Sequence, residues 1–221
     1  MPITVTRMSV TTTRLLLLGA VGLFEPVNGY QIRRELLSWR VDEWASIKPG
    51  SIYHGLRSLA DQGLMSAQTV ADGGRDVVVY QLTDAGRAAL EDAIVSAVVD
   101  VNVFDRHAFQ AAFGLLPMLG GERAEDALRR RRAAVRQSIP EILPPEGSNP
   151  YAPPHAVRSL ELWKSFAEVE LHWLDGVLDD IGAGRLDFDG TGRWAQPADD
   201  PGYQMMDDRE RYRAELGGRR D

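Results

Sequence analysis

The chain has 221 residues, enough for one large domain or two small ones with their own cores. No cysteine is present, which excludes disulfides and thiolate metal sites and favours a reducing compartment. The net charge of −7 is not the strongly basic balance that signals nucleic-acid binding, but residues 1–90 carry nine basic against eight acidic residues, so the acidic excess lies in residues 91–221.

The first part of the chain predicts two helices after a frayed arm at residues 1–13. Residues 14–24 are apolar nearly all round, which predicts a buried helix. This stretch is too short to span a bilayer and lacks a signal-cleavage pattern, so we expect a cytoplasmic protein without a membrane partner. Asn28 is a good N-cap for a second helix, which we expect to end near Trp39.

A third helix is predicted after Lys48. Pro49 suits its first position, and Gly63 suits the left-handed position just past its end. Ile52, Leu56 and Leu59 recur at helical spacing and form one apolar stripe. The opposite face carries groups that hydrogen-bond phosphates and base edges, namely Ser51, Tyr53, His54 and Arg57.

A β-hairpin is predicted next. Residues 64–70 and 76–82 read as strands, and the glycines of residues 71–75 suit a tight turn that carries Arg75 at its tip. The order helix, helix, helix, hairpin predicts a winged helix-turn-helix.

The rest of the chain is predicted to be helical. Thr83 caps a long helix that leaves the hairpin, and further helices are expected within residues 104–139 and 156–181, with a Pro-rich connection at 143–154. We therefore predict a mainly α fold with a small β-hairpin. Its predicted domains are a winged helix-turn-helix at residues 1–90, a helical dimerisation and effector domain at 91–186, and a loosely ordered tail at 187–221.

Five short segments of residues 14–90 belong together. They are Leu-Leu-Leu-Leu-Gly at 15–19, Asn-Gly-Tyr-Gln-Ile at 28–32, Pro-Gly-Ser-Ile-Tyr-His-Gly-Leu at 49–56, Gly-Leu at 63–64 and Tyr-Gln-Leu-Thr-Asp-Ala-Gly at 80–86. In this order and spacing they resemble the PadR family of transcriptional regulators. The family typically has His where Asn28 stands and often Ser or Thr where Lys48 stands. Residues 104–181 resemble the longer PadR subtype, which has an extended helical C-terminal region.

The resemblance implies a homodimer that is held by C-terminal helices and binds double-stranded operator DNA at an inverted repeat. It implies a repressor that a small aromatic effector can release. From the residues and this resemblance together, we predict the DNA-binding residues Tyr30, Lys48, Ser51, Tyr53, His54, Arg57 and Arg75.

Three other observations bear on function. Trp163 and Trp173 supply flat apolar surface, so they are either dimer-packing residues or effector-binding residues. The basic run at residues 129–132 follows acidic residues by four positions, which predicts ion pairs on a solvated helix face. No metal site, cofactor or catalytic activity is expected, because the three histidines beyond residue 100 lack ligand spacing and no nucleophile or phosphate-loop motif occurs.

An alternative stays open at this stage. The near-neutral charge of residues 1–90 also suits a protein-interaction scaffold whose winged helix does not read DNA. The salt dependence of DNA binding separates the two hypotheses. Contacts with DNA phosphates release counterions and make binding depend steeply on salt, whereas a protein scaffold makes no such contacts.

Overall fold

The structure is a computed structural model that describes residues 12–45, 47–143, 151–189 and 202–218. The described residues divide into two units. One contains the residues up to 93 together with those from 202 onward, and the other contains residues 94–189. Most of the predicted arm at residues 1–13 lies outside the described residues, as does most of the Pro-rich connection.

The first unit contains the predicted winged helix. Its elements are α1 (Thr12–Phe24), β1 (Val27–Asn28), α2 (Gly29–Ser38), α3 (Val41–Trp44), α4 (Pro49–Asp61), β2 (Met65–Asp72), β3 (Arg75–Leu82) and the start of α5 (Asp84–Val99). The predicted fold class, mainly helical with a small β-sheet, is confirmed. The short helix α3 and the two-residue strand β1 add to the expected elements.

Local sequence signals account for the helix boundaries. Asn28 Oδ1 accepts a hydrogen bond from the backbone N–H of Gln31, and Gln31 Oε1 accepts one from the backbone N–H of Asn28, so the two residues form a capping box at the start of α2. Pro49 is the first residue of α4, and Gly63 follows its end with φ +73°. Thr83 Oγ1 accepts a hydrogen bond from the amide of Gly86, so it caps α5 as predicted.

The core of this unit lies between α1, α2, α4 and the sheet. Residues 15–21 of α1 are all buried, which agrees with an apolar run that has no polar face. Ile52, Leu56 and Leu59 are the buried residues of α4, so its apolar stripe packs inward and its polar face points outward. The position of α4 is therefore fixed by three aliphatic side chains.

The sheet is antiparallel with the strand order β1-β3-β2. The hairpin pairs Met65 with Leu82 at its base and Asp72 with Arg75 at its tip. Gly73 and Gly74 form the two-residue turn with φ values of +57° and +81°. Two consecutive positive φ angles suit the right-handed twist of a hairpin and favour glycine at both positions. This hairpin is the wing.

A further helix, α9 (Gly202–Gly217), packs against the sheet. Tyr212 and Leu216 of α9 form a buried cluster with Val70 and Val79, and Val77 packs against it. We expected residues 187–221 to be loosely ordered, but residues 202–217 are helical. The polar composition is misleading here because three apolar side chains, those of Met205, Tyr212 and Leu216, are enough to bury one face of the helix.

The second unit is helical. It contains the end of α5, α6 (His107–Phe113), a short 3₁₀ helix (Leu116–Leu119), α7 (Gly121–Ile142) and α8 (Pro154–Gly182). α7 and α8 pack along each other. The division of the chain into functional domains stays a prediction.

The predicted solvated face of residues 129–132 needs one correction. Arg129 and Arg130 form the expected ion pairs with the residues four positions earlier. Arg131 is instead only 1% exposed; it pairs with Glu170 of α8 at 2.6 Å, and its guanidinium lies 3.5 Å from the ring centroid of Phe109. Four consecutive residues of a helix cover more than one of its faces, so one of these four arginines points inward.

Four large apolar side chains of α8 remain exposed. They are Leu162, Phe166, Val169 and Trp173, with exposures between 41% and 68%. Their spacing of four, three and four residues places them on one stripe of the helix. The buried residues of α8, including Ala167 and Leu174, lie on another face. Among the described residues, none of the helices has the length and apolar character needed to cross a membrane.

Candidate nucleic-acid interface

A groove runs between α4, the wing and the first turn of α2. Its wall is formed by residues from all three elements: Asn28, Gly29, Tyr30, Tyr53, Arg57, Asp72, Gly73, Arg75, Val77, Val78 and Tyr80. Four of the seven predicted DNA-binding residues, Tyr30, Tyr53, Arg57 and Arg75, are in this set. The fold thus brings residues that are up to 45 positions apart in sequence to one surface.

Two of the three tyrosines that line the groove are exposed. Tyr30 is 63% exposed and Tyr53 is 38% exposed, although both are large and partly apolar. The ring of Tyr53 lies against Gly29, where an added Cβ would stand 3.1 Å from Tyr53 Cε1. The glycine at the start of α2 therefore leaves room for the Tyr53 ring to approach that helix closely.

Two guanidinium groups give the groove its positive charge. Arg57 projects from α4 and is exposed, and Arg75 projects from the wing just after its turn. Burial raises the pKa of the neighbouring Tyr80, and the positive charge of Arg57 opposes that shift. The charge of Arg57 therefore reaches the buried hydroxyl of Tyr80, while the Arg57 side chain itself is exposed.

The other three predicted residues lie on the same helix, α4, or at its start. Lys48 is the N-cap residue, its side chain makes no capping hydrogen bond, and it is exposed. His54 is exposed as well. Ser51 Oγ donates to the carbonyl of Lys48 at 2.7 Å, so its proton is used within the helix and only its lone pairs remain for an outside partner. DNA contact by all seven residues stays a prediction.

Sequence reasoning missed the acidic member of the groove and its partners. Asp72 stands at the end of β2, immediately before the wing turn. Tyr212 of α9 donates its hydroxyl proton to Asp72 Oδ2 at 2.8 Å and accepts a hydrogen bond from Asn28 Nδ2 at 2.9 Å. Arg211 Nη1 donates to Asp72 Oδ1 at 2.7 Å. Both oxygens of this carboxylate are therefore occupied from α9.

These contacts change the ionisation of the groups involved. The hydrogen bond from Tyr212 lowers the pKa of Asp72 below its usual range; burial opposes this shift, and Arg211 adds to it. Burial raises the pKa of Tyr212 to about 12, and the neighbouring carboxylate of Asp72 contributes to the rise. At neutral pH the pair is a carboxylate and a neutral phenol.

The two indoles predicted as effector-binding residues lie in separate aromatic clusters. Trp163 meets Phe104 and Phe166 at centroid distances of 5.2 and 5.9 Å. Trp173 meets Phe113 at 4.9 Å. A single flat ligand would therefore stack on one indole or the other, since the two are ten residues apart on α8, about 15 Å along its axis. Their role in effector binding stays a prediction.

The described part of the chain shows no group of three or more histidine or acidic side chains placed to hold a metal ion. Phenols, guanidinium groups and a helix face can bind phosphates and base edges without a bound cofactor.

Comparisons with known proteins give one family match and two solved structures. Residues 17–92 match the family model described as the transcriptional regulator PadR-like family. Among solved structures, Bacillus subtilis PadR in complex with operator DNA is 21% identical, with 76% of this chain and 99% of that chain covered and a TM-score of 0.34. The protein smu.1604c from Streptococcus mutans is 18% identical, with 78% and 97% covered and a TM-score of 0.34. No match was found among curated proteins.

Proposed function

We propose that this protein binds double-stranded operator DNA through α4 and the wing, on the premise of the match between residues 17–92 and the model of the transcriptional regulator PadR-like family. The observation that carries the proposal is the groove in which Tyr30, Tyr53, Arg57 and Arg75 converge. Three elements that share no local sequence signal present hydrogen-bonding groups to one surface, which suits a duplex better than a small ligand.

Each element has a distinct part in this proposal. α4 enters the major groove, where Arg57 can form two hydrogen bonds to guanine and His54 lies on the same outward face. Tyr30, at the start of α2, donates its hydroxyl to a phosphate, and Lys48 contacts the backbone. Arg75 on the wing reaches a phosphate or the adjacent minor groove.

The test is selection of duplexes from a random-sequence pool, followed by fluorescence anisotropy on the enriched sequence at two salt concentrations. Arg57→Ala should weaken binding to that duplex by about 1–3 kcal/mol and relax preference at one base position. Arg130→Ala is the matched control, because it removes the same charge from an exposed helix position of the other unit. Equal losses in both variants would remove Arg57 from the interface.

The salt series also decides between DNA binding and a protein scaffold. If the protein contacts phosphates, its affinity must fall steeply as salt rises. The slope of the logarithm of the binding constant against the logarithm of the salt concentration should be about −0.9 per phosphate contact. If the pool yields no enriched sequence and binding does not change with salt, DNA binding is contradicted and the protein-interaction scaffold is favoured. The near-neutral charge of residues 1–90 is consistent with such a scaffold.

We further propose that the protein acts as a homodimer whose contact includes the exposed stripe of α8. Leu162, Phe166, Val169 and Trp173 follow the four-three spacing of a coiled-coil seam, and exposed apolar stripes of this kind mark protein interfaces. In a two-fold dimer both copies contribute the same stripe to the interface. Such a dimer can hold its two α4 helices about 34 Å apart, the spacing that an inverted repeat requires.

Val169→Glu tests the dimer, because Val169 is the most exposed member of the stripe at 68%. Light scattering after gel filtration should show a monomer for this variant and a dimer for the natural sequence. His172→Glu adds the same charge to an exposed position outside the stripe, so it should stay dimeric. A dimeric Val169→Glu protein would place the interface elsewhere.

Repression and release by a small aromatic effector complete the proposal. Trp163 and its ring neighbours Phe104 and Phe166 offer edges and faces for a planar ligand. An effector that favours a mis-spaced dimer would lower DNA affinity by its differential binding energy. We expect aromatic acids to quench the tryptophan fluorescence and to release the duplex. The quenching should be lost in Trp163→Leu. Quenching without release of the duplex would exclude this mechanism.

A further inference from the structure

The helix α9 is tied to the winged helix by a closed set of polar contacts. Asp208 accepts a hydrogen bond from Gln31 Nε2 at 2.7 Å and also pairs with Arg211. Arg211 continues to Asp72 at the base of the wing turn, and Tyr212 connects Asp72 to Asn28. The set therefore runs from the first turn of α2 through α9 to the wing and back.

Two members of this set also line the groove that is proposed to bind DNA. Asn28 stands at the start of α2, directly before Gly29 and Tyr30, and Asp72 stands directly before the wing turn. Resting on that proposed function, we propose that Tyr212 and Arg211 are positioning residues of the DNA interface, which hold the wing turn against α2 and neutralise Asp72.

The positioning part follows from burial and hydrogen-bond geometry. Tyr212 is 1% exposed, and its hydroxyl both accepts from Asn28 and donates to Asp72. Because the same hydroxyl accepts from one residue and donates to the other, it fixes the distance between Asn28 and Asp72. The turn beyond Asp72 consists of Gly73 and Gly74, which have no side chains to hold it in place. The position of the wing turn is therefore held by the contacts that Asp72, directly before it, makes with α9.

The charge part follows from the place of Asp72. A free carboxylate in a groove that binds DNA would repel the phosphates, and little solvent screening intervenes at contact distance. Arg211 donates to one oxygen of Asp72 and Tyr212 to the other. With α9 in place, the groove presents Arg57 and Arg75 without an uncompensated negative charge between them.

Tyr212→Phe tests the positioning role with little change in packing, because the ring that fills the buried cluster is kept. Affinity for the selected duplex should fall about five- to tenfold, the lower range of typical coupling between sites. Tyr203→Phe removes a hydroxyl from the same helix at a residue that is 42% exposed, and it should bind as the natural sequence does. Circular dichroism at the binding temperature must show both variants folded.

A double-mutant cycle tests the charge role in a way that a general loss of stability would not reproduce. Arg211→Gln should weaken DNA binding, and the loss should shrink as salt rises, because screening reduces the repulsion from Asp72. In the Asp72→Asn background the same Arg211→Gln change should have no further effect. Equal losses in both backgrounds would overturn the neutralisation.

The outcomes separate this inference from the function on which it rests. Failure of the natural sequence to enrich any duplex would overturn both. Enrichment by the natural sequence, with Tyr212→Phe and Arg211→Gln binding as tightly as Tyr203→Phe, would overturn only the role of α9 and leave DNA binding by α4 and the wing intact.

Discussion

The hydroxyl of Tyr212 keeps its proton well above the pH at which a free tyrosine ionises. Its pKa is raised from 10.0 to about 12 by burial and by the Asp72 carboxylate. Between these two values the unfolded chain loses the proton while the folded chain retains it. Folded protein then binds more protons than unfolded protein, so the free energy of unfolding falls as pH rises through this window.

We expect the unfolding free energy to fall by about 1 kcal/mol between pH 10 and 11 through this residue, since one pKa unit corresponds to about 1.4 kcal/mol. Tyr212→Phe should show a correspondingly flatter profile in urea unfolding at pH 9, 10 and 11. Subtracting the two profiles removes the contributions of Tyr80 and the other tyrosines. Parallel profiles would show that the hydroxyl ionises equally in both states.

Single residues with local partners could be predicted from sequence, and residues with distant partners could not. Asn28, Pro49 and Gly63 act within one helical turn, and their expected positions are confirmed. Tyr212 bonds to residues 140 and 184 positions away, and no periodicity links such positions. The same holds for Asp72, which read only as part of a turn.

At the scale of elements, the pairing of α7 with α8 depends on a buried ion pair. Arg131 and Glu170 lie at 2.6 Å, and their side chains are 2% and 11% exposed. Arg131 also donates to the carbonyl of Val98 at 2.9 Å. Burial lowers the pKa of Arg131, and Glu170 opposes that shift, so the charged pair is kept together. Removing one partner leaves the other charge buried without compensation.

Glu170→Ala should therefore destabilise the second unit by about 3–5 kcal/mol. Glu125→Ala is the matched control, because Glu125 pairs with Arg129 on the exposed side of α7 and should cost less than about 1 kcal/mol. Chemical unfolding followed by circular dichroism measures both. Equal costs would mean that water reaches the Arg131 site.

The wing shows what an element-level pattern can reveal. Residues 77–80 are four apolar residues in a row, whereas a strand with one wet face alternates. In the structure Tyr80 and Leu82 face the helices of the winged helix, and Val77 and Val79 face α9. Only part of this run is covered on both faces, because Val79 and Tyr80 are buried whereas Val78 is 43% exposed in the groove. The run did not indicate which segment covers the second face.

At the scale of the whole molecule, the proposed dimer and the proposed DNA interface depend on each other. Two copies on an inverted repeat make twice the phosphate contacts of one copy. The log–log slope of affinity against salt should therefore be about half as steep for the monomeric Val169→Glu variant as for the natural sequence. Anisotropy titrations across a fourfold range of salt measure both slopes. Equal slopes would mean that one copy makes every phosphate contact.

The overall class could be predicted because helices and a hairpin in this order allow few folds, and the match over residues 17–92 supports it. The exposed stripe on α8 was not predicted. Of its members, only Trp173 was singled out from the sequence, as a dimer-packing or effector-binding residue, since a periodic pattern does not say which of two apolar faces meets its own chain.

The cover that α9 gives the sheet also has a consequence for synthesis. At about 5–20 residues per second, a ribosome needs roughly 5–20 s to make the residues between 93 and 202. Throughout that interval the nascent winged helix carries Val70, Val77 and Val79 on an open sheet face, with β2 as a free edge. Such surfaces recruit other unfinished chains. A chain that stops before residue 202 keeps this face open for its whole lifetime, which makes it a substrate for chaperones and proteases.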